Sequence, residues 1–169
     1  MAARAAPWCA AGGGLVALGA AALGGVAPAE AAYVAVFGGV FVLLAWLDLG
    51  TRTIPNAIVY PVLVLALGLS PSEPGPGLAE SLAGGLVALA AWSAIRALSR
   101  GGLGGGDVKM AALVGAVVGL PGIVAASALT AMSAGLVAGA LLLTRTLRPG
   151  DALPYGPFLA FGGLVGLVW

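Results

Sequence analysis

Two aspartates stand where apolar stretches meet short polar turns. Asp48 follows Phe41–Leu47, and Asp107 closes Gly104-Gly105-Gly106-Asp107 ahead of an apolar run. In a chain that is 61% hydrophobic and 8% charged, acids at membrane depth are costly, and a functional site is their default reading. Two carboxylates brought together can divide the hydrolysis of a peptide bond. One, ionised, takes a proton from water; the other, protonated, polarises the carbonyl, and the pair titrates as a unit. Helix ends assign the roles from sequence alone. Asp107 opens a helix, where the dipole favours an anion, and Asp48 closes one, where it does not, so Asp107 is the expected ionised partner. Each acid also has a plainer reading: Asp107 as a helix N-cap, and Asp48 as the i,i+4 partner of Arg52.

The glycines before Asp107 let a backbone approach another strand without side-chain clashes. They do not form a phosphate cradle. Lys109 is followed by Met110 rather than Ser or Thr, and no strand precedes the loop.

Composition narrows the field further. Mean hydropathy is +1.12, which implies a polytopic membrane protein. With no histidine and Cys9 alone, Ser-His-Asp triads, His- or Cys-based zinc sites and an internal disulfide are excluded. No cofactor or metal is called for. The net charge of +1 with scattered basic residues gives no sign of nucleic acid binding. No strand alternation is present, and lipid-exposed backbone demands helices.

A spanning helix needs about 20 mostly apolar residues, with about 17 workable. Spans are expected near 9–28, 32–49, 55–70, 78–98, 106–120, 122–143 and 154–169, with Ser70–Gly77 as a loop and Pro121-Gly122 as a tight turn. The fold class is therefore an all-α polytopic membrane bundle of about seven helices. The chain divides into residues 1–30, an N-terminal transmembrane helix or signal-anchor, and residues 31–169, a membrane domain. Ala27-Pro28-Ala29 also resembles a signal-peptide cleavage site. Seven spans place Arg4, Arg52, Arg96, Arg100, Lys109, Arg145 and Arg148 on one side and Glu30, Glu73 and Glu80 on the other. The positive-inside rule makes the basic side cytoplasmic. The N-terminus, Asp48 and Asp107 all fall there. Trp8, Trp46 and Trp169 lie at span ends, where interfacial anchors belong, whereas Trp92 lies deeper and reads as packing.

Three segments together carry a family resemblance. Asp48 followed by Ile54-Pro55-Asn56 resembles the first-aspartate motif of type IV prepilin peptidases. Gly104-Gly-Gly-Asp-Val-Lys109 resembles their GxGD motif, and Leu153-Pro154-Tyr-Gly156-Pro157 their Pro-x-Gly-Pro segment at the last helix. The resemblance covers about Val34 to Trp169. It implies a six-helix membrane aspartyl peptidase core with one added N-terminal helix, lodged in the cytoplasmic membrane. Its partner would be a prepilin or pilin-like substrate, cut just after a short basic leader. By the same resemblance Asp48 and Asp107 match the catalytic pair and Gly104 and Gly106 the motif glycines. Pro55, Asn56, Lys109, Pro154, Gly156 and Pro157 match structural or substrate-positioning places. Bifunctional members carry paired Cys-x-x-Cys motifs and also N-methylate their product. This chain has one cysteine and a short approach to Asp48, which resembles the compact, peptidase-only form.

Two other classes of function compete. A proton- or cation-coupled transporter would place its acids at interrupted helices near mid-membrane, not at span ends, and no inverted repeat is visible. A non-catalytic pilus or secretion assembly scaffold would have no need of both acids. A presenilin-like protease pairs GxGD with Tyr-Asp and Pro-Ala-Leu, whereas here Leu47 precedes Asp48.

Overall fold

The computed structural model describes residues 27–72, 74–99, 102–146 and 153–168. They form six helices: α1 (Pro28–Thr51), α2 (Asn56–Leu69), α3 (Leu78–Leu98), α4 (Gly105–Val118), α5 (Gly122–Leu143) and α6 (Gly156–Val168). No strand occurs among the described residues. All but the last two residues of the expected span at 9–28 lie outside the described residues, as do Arg4, Trp8, Glu73, Arg100, Arg148, Asp151 and Trp169.

Helix bounds follow local chemistry. α1 begins at Pro28, earlier than the expected 32, because a proline is tolerated in a first turn whose N–H has no helical partner anyway. It ends where Arg52 takes a left-handed conformation, φ 51°, with its N–H on the Asp48 carbonyl. α4 stops at Gly119, whose φ of +66° suits glycine. Pro61 sits inside α2 without ending it.

The helices differ in length in a regular way. α1, α3 and α5 have 24, 21 and 22 residues and are long and apolar enough to cross a membrane. α2, α4 and α6 have only 14, 14 and 13. At about 1.5 Å per residue the short three rise roughly 20 Å, less than the hydrocarbon thickness of about 30 Å.

α4 is the centre of the bundle. It is buried from Val108 to Val117 apart from the half-buried Lys109. α3 packs on it most closely, with α2 and α6 beside it, while α1 lies on α6 and α6 on α5. The α3–α4 crossing relies on Gly84 and Gly115. A Cβ on either would strike the other's carbonyl oxygen, so only glycine permits this backbone approach. Aromatic residues Phe37 and Phe41 fill the α1 side, and the buried Tyr33 hydroxyl donates to the Val117 carbonyl at 2.9 Å. The outward faces are apolar: Leu143 is 87% exposed and Leu136 73%, as expected of surfaces that meet lipid. The protein is a multi-pass membrane protein.

Trp46 is 54% exposed near the end of α1, where an interfacial anchor belongs. Trp92 is buried, stacks edge-on with Tyr155 and donates to Ser127 at 3.4 Å, a packing role.

Candidate active site

The three short helices all begin at one end of the bundle, and each begins at a motif: α2 at Pro55-Asn56, α4 at Gly104–Asp107, α6 at Gly156-Pro157. The long helix α1 delivers Asp48 to that end from the opposite direction. The first N–H groups of a helix lack helical acceptors and carry the positive end of its dipole. Three such ends therefore gather around two carboxylates.

Asp107 is the third helical residue of α4. It is not the N-cap; Gly104 holds that place, and Asp107 Oδ2 reaches back to accept the Gly104 N–H at 2.8 Å. The bond is local and satisfies one of the orphan donors. Asp107 is 8% exposed and lies within electrostatic reach of Asp48 and of Arg96.

Asp48 is 5% exposed and its Oδ2 accepts the Gly156 N–H at 2.9 Å, across 108 residues of chain. Glycine is required at 156. A Cβ there would lie 2.7 Å from both the Asp48 Cβ and Oδ2. Pro157, next along, has no N–H to leave unsatisfied. The i,i+4 pairing with Arg52 is not what holds Asp48; Arg52 is exposed and contributes its backbone N–H. Asp48 closes α1 yet faces the start of α6, so both carboxylates lie at helix N-termini. The helix ends therefore no longer separate an ionised Asp107 from a protonated Asp48.

The motif segments also touch one another. Ile54 is buried against Gly106, where a Cβ would come within 2.9 Å of the Ile54 Cβ. Lys109 Nζ donates to Asn56 Oδ1 at 2.9 Å and lies 5.6 Å from the centre of the Tyr60 ring. Asn56, Pro55 and Lys109 thus clasp the starts of α2 and α4. Pro154 lies in the half-buried lead into α6, and the Tyr155 carbonyl accepts the first helical N–H groups, from Phe158 and Leu159. Asp48 with Gly156, Asp107 with Gly104, Gly106 with Ile54 and Lys109 with Asn56 are joined by these contacts, and Pro55, Pro154 and Pro157 lie within two residues of them in the chain. Arg96, which with Arg100 reads from sequence as a topology-setting charge or as a flank to substrate entry, has its guanidinium in the space that a Cβ on Gly105 would take.

Such an arrangement defines a class: a membrane helical bundle holding two buried carboxylates at one end, each on the backbone of a helix start. Residues 35–143 match the type IV leader peptidase family. The chain belongs to that family. The match ends before the Leu153–Pro157 segment, which joins the site through Gly156. Similar curated proteins are the prepilin leader peptidase/N-methyltransferases of Bacillus subtilis (31% identical over 137 residues, 79% of this chain and 54% of that one) and Dickeya chrysanthemi (33% over 138 residues, 77% and 48%). That of Stutzerimonas stutzeri is 28% identical over 143 residues, 78% and 50%. The chain spans about half the length of these relatives. No solved structure matches it.

Proposed function

We propose that this protein is a membrane aspartyl endopeptidase. It removes the short basic leader of prepilins or pilin-like proteins, with Asp48 and Asp107 as its catalytic pair. The observation that carries this reading is the placement of the two carboxylates. Both are buried, both lie within electrostatic reach, and each is oriented by a backbone N–H at a helix start.

In the proposed reaction the two carboxylates share one proton. The ionised one takes a proton from a water lodged between them as that water attacks the scissile carbonyl. The protonated one gives its proton to the carbonyl oxygen. Collapse of the tetrahedral intermediate breaks the C–N bond, and the proton taken from water passes to the leaving amine. No metal enters these steps. Gly104 and Gly156 hold the carboxylates through their N–H groups. Gly106 admits Ile54, and Pro55, Asn56, Lys109, Pro154 and Pro157 position the helix starts. With the basic side of the chain inward, the site faces the cytoplasm and the N-terminus lies on the same side.

Co-expression with a pilin-like protein carrying a basic leader tests the proposal, with cleavage read by mobility and N-terminal sequencing. Wild type is expected to cleave, and Asp48→Asn and Asp107→Asn are expected not to. Cleavage that survives either substitution would refute the two-aspartate mechanism. A folded wild type inert toward several such substrates would point to a scaffold or transporter instead.

A further inference from the structure

The two carboxylates of the candidate site are alike in burial and in support. Asp48 and Asp107 are both buried, and each accepts one backbone N–H at a helix start. Two equal acids sharing one proton leave the ionised role unassigned, so whatever makes them unequal must be a charge nearby. α2, α5 and α6 carry no charged residue. Glu30 and Glu80 stand in the first turns of α1 and α3, a helix length away from the site. Arg52, just past α1, is exposed and meets Asp48 through its backbone N–H. Lys109 is turned toward α2, where Asn56 accepts its hydrogen bond and the Tyr60 ring lies below it. Two charged side chains act on Asp107 across space: Asp48 from α1 and Arg96 from α3.

Arg96 is placed by its helix. It lies in the last turn of α3, the helix that packs most closely on α4. Its guanidinium turns onto the start of α4. Nη1 takes the position that a Cβ on Gly105 would fill, with Cζ 3.2 Å and Nη2 3.6 Å from that point. Gly105 is the first residue of α4, and Asp107 the third. α3 packs hardly at all on α1 or α6, the two helices that hold Asp48, so the guanidinium enters the site from the Asp107 side.

We propose that Arg96 is a positioning residue that makes the pair unequal: lodged against Gly105, it keeps the negative charge on Asp107 and leaves the shared proton on Asp48. The inference rests on the two-aspartate reading and adds what assigns the two roles. A cation beside one of two coupled carboxylates stabilises that one's ionised form over its partner's, most strongly where water is excluded. Asp107 then takes the proton from water, and Asp48 gives its own to the carbonyl oxygen. The missing side chain at 105 is what admits the guanidinium.

Two readouts test the assignment on the full chain. Dicyclohexylcarbodiimide adds to protonated carboxyl groups in apolar surroundings and spares ionised ones, and peptide mass mapping shows where it has added. Wild type is expected to label at Asp48 over Asp107 by about fivefold or more. Arg96→Gln is expected to bring the two within about twofold, and Arg96→Lys to keep the wild-type preference. Equal or reversed labelling in wild type, or a preference that Arg96→Gln does not change, would overturn the proposal.

Turnover of a pilin-like substrate gives the second readout. Arg96→Gln is expected to lower kcat about tenfold with KM within about twofold, and Arg96→Lys to recover most of the loss. A rise in KM with kcat unchanged would make Arg96 a substrate contact instead, and a loss that Arg96→Lys does not recover would make it structural; either overturns the proposal. Gly105→Ala displaces the guanidinium without removing it, so it is expected to lower kcat alone and to add nothing to Arg96→Gln. Additive losses would overturn the coupling. Should wild type cleave no pilin-like protein, the peptidase reading fails on that result, while the labelling still reports whether Arg96 sets the charge on Asp107.

Discussion

Glycine does different work at the two ends of α4. Where α3 crosses α4, Gly84 and Gly115 bring backbone against backbone, and a side chain on either would strike a carbonyl that cannot move without its helix. At the start of α4 and α6, Gly106 and Gly156 bring backbone against side chain, Ile54 in one case and Asp48 in the other. The first arrangement sets how close two helices lie. The second sets where one carboxylate points. Packing and chemistry are therefore separable by substitution, even though both depend on a missing Cβ.

The sharpest break in that comparison is chemical. Asp48→Asn and Asp107→Asn keep shape and volume, so each is expected to lower the cleavage rate by about 10²–10⁴-fold or more. The thermal midpoint in detergent is expected to stay within a few degrees, and a large fall in that midpoint would mean that the carboxylates hold the fold. Gly84→Ala belongs to the opposite class. Its Cβ meets Gly115 and Gly119 backbone, and a stability loss of about 1–3 kcal/mol is expected, with activity falling only as folded protein is lost. Normal activity per folded molecule beside a lowered midpoint would confirm the division.

Gly156→Ala is the intermediate case. Its Cβ displaces the Asp48 side chain rather than a backbone, so cleavage is expected to drop about 10–100-fold, as a misplaced catalytic group does, with a small change in the thermal midpoint. If stability fell as far as in Gly84→Ala, the comparison would collapse. Lys109→Met removes one exposed hydrogen bond to Asn56, worth about 1 kcal/mol, and a few-fold loss of rate is expected. Gly139→Ala is expected to do least. Nothing lies within 4 Å of its Cβ position, and the change should be neutral or stabilising by less than about 1 kcal/mol.

Much of the scaffold was legible because lipid leaves the chain few options. The helices over 78–98 and 122–143 agree with the expected spans to the residue, and the others within a few. The departures have local causes: Pro28 starting a helix, Gly119 stopping one. The candidate site residues stand out in the sequence as motifs, but the contacts between them do not. Nothing in the local sequence pairs Gly156 with Asp48, or Lys109 with Asn56, because those bonds join segments 108 and 53 residues apart. That is why the role of helix dipoles at Asp48 was read from α1 alone. The shortness of α2, α4 and α6 was visible, but its meaning was not. It emerges only when the starts of all three are seen to meet.

The two carboxylates differ in what their orientation depends on. Asp107 is fixed by its own helix as soon as α4 forms. Asp48 waits for α6, whose first residue lies 108 positions later. During synthesis, a chain inserted only as far as α5 already carries both acids but has no donor for one of them. If Asp48 and Asp107 are the catalytic pair proposed above, the order of membrane insertion withholds the finished pair until the last described helix is in place, and a half-made molecule would lack an assembled means of cutting its neighbours.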